Sequence, residues 1–240
     1  MSTVVGIDLA ASPATTAVAV LDGQRVELVE VGADDERIVA LSADTRKIGI
    51  DCPLGWPREF VRFVDAHSLG RPVAPAGTIA GRVPLAYRVT DRWVAAHRPP
   101  LRPLSVSADR IAHAAFRCAG LLAQWGATDR SGAGLVVEVY PAGSLHAWGL
   151  PYRGYKGTTG RAVRDRLVDV LGGVVDLGAH EVLCRRSDHA LDAVLSALSA
   201  RSVLLGMSLG PPEDLLDDAR LEGWITLPAG RLEELASNST

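Results

Sequence analysis

The chain has 240 residues, 48% apolar, 5% aromatic and 22% charged, with 25 basic and 28 acidic side chains. This suits a globular fold with a sizeable core and excludes long disorder; no apolar run approaches the ~20 residues of a membrane span. The start Met-Ser-Thr-Val-Val-Gly-Ile-Asp lacks a leader's basic region, and Cys52, Cys118 and Cys184 have neither C-x-x-C spacing nor an even count, so a cytoplasmic protein without a disulfide framework, zinc knuckle or membrane partner is expected.

In chain order, residues 4–9 form an apolar run, 15–21 a β-branched and alanine-rich one, and Asp22-Gly23 is a hairpin signal leading into the alternation of 25–31. Three antiparallel strands are predicted. A helix over 34–43 follows, with Ile38 and Leu41 at helical spacing, and then a short buried strand over 47–51. Proline and glycine density predicts irregular chain from 53 to 77, with further breaks at Pro99-Pro100 and Pro103. Two helices are predicted over roughly 84–97 and 107–125, the second capped by Ser107. A strand returns at 134–140 and stops at Pro141. Helices over 159–171 and 187–201, an acidic helix over 212–222 and a short strand over 224–227 complete the chain. The expectation is a single α/β domain over residues 1–240, with 58–125 as a basic, largely helical insertion.

The net charge of −3 hides a partition: residues 58–117 carry ten arginines and four acids, a balance of +6, and the rest of the chain carries −9. Such asymmetry suits contact with a polyanion. It also fits a chain whose preferred cation is simply arginine, since Lys47 and Lys156 are its only two lysines.

The most informative local feature is a repeated phrase, Gly6-Ile7-Asp8 and Gly49-Ile50-Asp51, each closing an apolar strand with an acid. A carboxylate there is costly unless it is paired, hydrogen-bonded or metal-bound. One such aspartate is an ordinary turn former; two with the same local sequence point to a shared task. Glu138 interrupts the β-branched run 135–139, where an exposed edge position would also suit it. On the helix from Ser187, Asp188 and Asp192 share a face bordering the apolar stripe of Leu191, Val194, Leu195 and Leu198. An acid in the first turn also complements the helix dipole, which accounts for one of the two.

Acids on two strand ends, a later strand and a late helix make a donor set for Mg²⁺ or Mn²⁺, which prefer oxygen ligands. Two ions ~3.5 to 4 Å apart can activate water and stabilise a leaving oxygen in phosphodiester cleavage. The order of elements resembles the RNase H-like fold, and more specifically an uncharacterised family of predicted RNase H-like nucleases. The matching phrases are Gly6-Ile-Asp-Leu-Ala, Ile48-Gly-Ile-Asp-Cys-Pro-Leu-Gly55, Arg88-Val-Thr-Asp91, Glu138-Val-Tyr-Pro141, Tyr155-Lys156, Asp188 with Leu191-Asp-Ala193, and Glu222-Gly-Trp-Ile-Thr-Leu-Pro228.

The resemblance implies a mixed sheet of three antiparallel strands followed by parallel ones. It implies metal ligands at Asp8, Asp51 and either Asp192 or Asp188. Glu138 departs from the core RNase H pattern, which usually lacks an acid on the fifth strand; it stands either as an extra ligand or as a partner for Arg88. Lys156 is expected at a phosphate or an attacking water. Arg88, Asp91, Arg92, Trp93 and Tyr155 are the expected substrate contacts, with Arg88-x-x-Asp91 also spaced for a local salt bridge.

The expected activity is divalent-metal-dependent cleavage of nucleic acid of unspecified type, with a homodimer left open. Two other readings compete. One is an ATP-dependent phosphotransferase of the actin and sugar-kinase-like fold, which would want a glycine in the turn after Asp8 that the chain lacks. The other is a non-catalytic nucleic-acid-binding protein. Zinc spacing, a G-x-S-x-G elbow, a Walker A loop and a G-x-G-x-x-G motif are all absent, and of the six histidines His189 alone neighbours the proposed chemistry.

Overall fold

The structure, a computed structural model, describes residues 3–71 and 73–237. β1 (Val4–Asp8), β2 (Ala17–Asp22) and β3 (Arg25–Val31) form the expected antiparallel meander. α1 (Asp35–Leu41) crosses over, started by Asp34, whose carboxylate accepts from the Arg37 backbone N–H at 2.8 Å. β4 (Lys47–Asp51) then lies parallel to β1, and β5 (Val136–Glu138) parallel to β4. The mixed five-stranded sheet runs β3-β2-β1-β4-β5.

The chain between β4 and β5 carries α2 (Arg58–Ser68), α3 (Val83–Ala86), α4 (Val89–His97) and α5 (Ala112–Gln124). Three expectations are corrected here. α2 occupies chain expected to be irregular, because Pro57 stands just before its first turn and does not interrupt it. The helix expected over 84–97 splits at Tyr87-Arg88, because extended Arg88 gives its backbone N–H to Asp91 and so begins a new helix. Ser107 does not cap α5, which starts at Ala112; its hydroxyl donates to the Leu85 and Ala86 carbonyls at 2.8 and 3.1 Å and closes the end of α3 instead.

Beyond β5 come α6 (Pro141–Ala147), α7 (Arg161–Leu171), α8 (Glu181–Arg186), α9 (Asp188–Leu204) and α10 (Leu216–Glu222). α6 and α8 were not foreseen. β6 (Ser208–Leu209) and β7 (Leu227–Pro228) pair as a small antiparallel ribbon, so the last expected strand shrinks to two residues, while Ile225 bridges to Glu138 on the main sheet.

Strand alternation sorts the core onto two faces. Val5, Ile7, Ile48 and Ile50 pack with Ile38 of α1 and with Cys118, Leu121 and Leu122 of α5. On the other face Val4, Ala17, Ala19 and Leu21 pack against Leu191, Val194, Leu195 and Leu198 of α9 and Leu167, Val168 and Leu171 of α7. α9 is buried on every side from Ala190 to Ser202, which its run of alanines and serines permits. Ser187 caps it, accepting from the Ala190 N–H at 3.2 Å. The three cysteines are buried and unpaired. No helix of the described residues is long and apolar enough to cross a membrane.

Candidate metal centre

The repeated Gly-Ile-Asp phrases occupy neighbouring strands in register: Gly6 lies beside Gly49, Ile7 beside Ile50 and Asp8 beside Asp51. Alternation sends both isoleucines to one face, and both glycines with both acids to the other. That second face carries α9. A Cβ on Gly6 would stand 2.1 Å from the Ala193 carbonyl oxygen and from the Ala197 nitrogen, and one on Gly49 would stand 2.4 Å from the Ser196 carbonyl. The glycines therefore let the helix backbone sit directly on the sheet. Two residues along each strand, the acids reach the first turns of the same helix, and one oxygen each from Asp8, Asp51 and Asp192 lie within 4.8 Å of one another.

Donors close the site from one side. Asp192 is fully buried; its Oδ1 accepts from the Tyr155 hydroxyl at 2.9 Å, and its Oδ2 accepts from the Lys156 ammonium. His189 Nδ1 donates to Asp8 Oδ2 at 2.6 Å. The Asp51 oxygens accept no hydrogen bond from any described residue. Asp188, one turn before Asp192, accepts from the Gly157 N–H at 3.1 Å and anchors the loop that carries Tyr155 and Lys156. Of the two helix acids left open by the sequence, Asp192 joins the cluster and Asp188 holds its wall.

The electrostatics are those of crowded like charges. Burial, then the charges of Asp8 and Asp192, pushes the Asp51 carboxyl well above the usual range. Burial raises Asp192 to about 6, with Lys156 pulling it down and Asp8 pushing it up. Burial works against the Lys156 charge, but Asp192 and Asp51 outweigh it and raise its pKa. The hydrogen bond to Asp8 raises His189, and burial with the Asp192 charge raises the Tyr155 hydroxyl. This excess of negative charge around donor-free oxygens fits a hard divalent cation. Octahedral ligands at 2.0–2.1 Å would sit about 3 to 4.2 Å apart, so a small tightening of the triad accommodates one.

Glu138 stands apart from the triad. Arg88 donates to both its oxygens at 2.7 Å, and to Asp91 at 2.8 and 3.1 Å, with all three side chains almost completely buried. The Leu54 N–H donates to Glu138 at 3.0 Å. Of the two roles open to Glu138, the structure displays the partnership with Arg88. Glu222, which sequence reasoning left without a role, accepts from the backbone N–H groups of Arg58 and Val89 at 2.7 Å each, tying α2 and α4 to the end of α10. Its signal was the Glu222-Gly223 step, where Gly223 at φ 92° ends the helix.

A cleft of about 280 Å³ opens beside Asp8 and Asp51, which line it with Arg88, Asp91 and Glu138 and the apolar Leu9, Leu104, Ile111 and Ile225; Asp192, Tyr155 and Lys156 lie outside its lining. Tyr140 also lines it and was not singled out in the sequence; its place right after the Glu138 strand was the available signal. Arg92 and Trp93 do not line it. The Trp93 ring stacks on His97 at 4.7 Å and tilts against Trp224 at 5.3 Å. Several of the ten arginines in 58–117 serve the fold: Arg58 binds Asp218, Arg62 binds Glu59, Arg88 is buried, and Arg117 binds Asp35 and the Ala10 and Ala33 carbonyls. Arg71, Arg92 and Arg110 are exposed and make no ion pair with a described residue.

The family model described as "Protein of unknown function (DUF429)" matches residues 6–215, and the chain belongs to that family. The match takes in the triad, the Tyr155-Lys156 pair and the Arg88 network. No curated protein and no solved structure matches the chain.

Proposed function

We propose that this DUF429 protein is a divalent-metal-dependent nuclease, using Mg²⁺ or Mn²⁺ to cleave phosphodiester bonds of nucleic acid on an RNase H-like fold. The observation that carries the reading is the convergence of Asp8, Asp51 and Asp192 from two parallel strand ends and one buried helix, with Asp8 and Asp51 lining an open cleft. The strand order, with acids on the first and fourth strands and on a late helix, is the arrangement the sequence resemblance implies.

The three carboxylates would hold the cation. Bound there, it supplies Lewis acidity at a phosphate oxygen and lowers the pKa of an attacking water. The rest is positioning by this chain. Tyr155 and Lys156 fix both oxygens of Asp192, and His189 fixes one oxygen of Asp8, so the ligands are oriented before anything binds. The Lys156 side chain is 52% exposed and reaches in from solvent, and its ammonium, paired with Asp192, would add a positive charge beside a bound phosphate. Arg71, Arg92 and Arg110 are among the exposed cations left available for a backbone.

The test is cleavage by purified, folded protein of single-stranded, duplex, hybrid and branched substrates with Mg²⁺ and with Mn²⁺. Cleavage that needs the metal and disappears in Asp8→Asn is expected. Failure on every substrate with both metals overturns the reading.

A further inference from the structure

The number of ions at this centre follows from which carboxylate oxygens are already engaged. Of the six, three carry protein donors: both of Asp192, held by Tyr155 and Lys156, and one of Asp8, held by His189. The open ones are the second oxygen of Asp8 and both of Asp51. They offer one cation a shared position between the two strand ends, where Asp8 and Asp51 stand side by side, and Asp192 Oδ1 keeps a second lone pair beside the neutral Tyr155 hydroxyl to serve as the third ligand. A pair of ions needs a carboxylate bridging them and separate ligands on either flank. The far flank is Asp192, and the oxygen it would offer there is covered by the Lys156 ammonium.

We infer that the centre takes a single divalent cation, and that Lys156 occupies the position a second ion would fill. This rests on the metal-centre reading above and goes beyond it in assigning stoichiometry and a role to Lys156. Charge balance agrees. Three carboxylates and one ammonium leave −2, which one divalent ion neutralises; two ions would leave an excess of +2 beside partly buried groups, an arrangement electrostatics disfavours. Lys156 is suited to the position because its stem enters from the solvent side while Asp192 is fully buried, so the ammonium caps the outer edge of the cluster. There it presents a fixed positive charge towards an incoming phosphate, the service a second ion performs in a two-ion site.

The experiment is calorimetric titration of the full chain with Mn²⁺ alone, in wild type, Lys156→Met and Lys156→Arg, with thermal unfolding confirming that each is folded. The expected results are one Mn²⁺ per wild-type chain, and in Lys156→Met either a second equivalent or binding at least tenfold tighter, since a repelling charge is gone. Lys156→Arg keeps one equivalent. Two equivalents in wild type overturn the inference and leave the metal-centre reading intact. Binding in folded Lys156→Met that is unchanged or weaker also overturns it, since Lys156 would then merely support Asp192. No Mn²⁺ binding by folded wild type overturns the metal-centre reading itself, and this inference with it.

Discussion

Asp8 and Asp51 face each other across the parallel β1–β4 pair, at matched positions on one face of the sheet. Two carboxylates held side by side next to a third repel one another in the metal-free protein, and burial deepens the cost. Asp51→Asn therefore stabilises the metal-free fold and raises its melting temperature, because the neutral amide avoids both the burial cost and the repulsion from Asp8 and Asp192 that push the Asp51 carboxyl up. Mn²⁺ raises the midpoint of wild type and not that of the variant. Thermal unfolding with and without Mn²⁺ decides this, and a lower midpoint for metal-free Asp51→Asn would count against it.

The approach of α9 to the sheet depends on the missing side chains of Gly6 and Gly49. Gly6→Ala places a methyl group against helix backbone at both Ala193 and Ala197, which a rotamer change cannot relieve. A loss of about 3 kcal/mol or more is expected, the upper end of overpacking penalties. Gly120→Ala is the contrast: at an exposed position of α5 with nothing within 4 Å, it gains about 0.5–1 kcal/mol of helix propensity. Urea unfolding of both variants checks the pair, and equal effects would rule out the close-approach argument.

Glu138 belongs energetically to Arg88. Removing one partner of a buried ion pair costs about 3–5 kcal/mol, so Glu138→Gln should fall near that range, as read by chemical denaturation. Below its unfolding transition the same variant should bind Mn²⁺ within about threefold of wild type. A loss of Mn²⁺ binding by folded Glu138→Gln would instead make Glu138 a ligand.

The arginines divide into structural and available ones. Replacing Arg71, Arg92 or Arg110 by Ala should leave stability within about 0.5 kcal/mol. If each contacts a phosphate, replacing it should flatten the salt dependence of oligonucleotide binding by about 0.7 to 0.9 in log–log slope. Arg117→Ala should destabilise the fold, because its guanidinium joins α5 to Asp35 and to the loop carbonyls of Ala10 and Ala33. Fluorescence anisotropy over a salt series tests this; slopes unchanged in all three exposed variants would remove Arg71, Arg92 and Arg110 from the binding surface.

The sequence by itself determined the parts governed by short-range periodicity. The alternation in 25–31, the Asp22-Gly23 turn and the apolar runs ending at Asp8 and Asp51 define strands whatever surrounds them, and the Ser187 cap with its alanine-rich run defines α9. The repeated Gly-Ile-Asp phrase marked the right acids, because the glycine and the aspartate share a strand face and so meet the same neighbour. What only the tertiary structure decided depends on contacts between distant segments. Asp188 and Asp192 share one face of the helix, and the close seating of α9 on Gly6 and Gly49 selects Asp192. Glu138 goes to Arg88, fifty residues away, which no local pattern specifies. The split between α3 and α4 is by contrast local, since Asp91 accepts the Arg88 backbone N–H three residues before it; what the tertiary structure adds there is the Glu138 carboxylate that the Arg88 side chain meets.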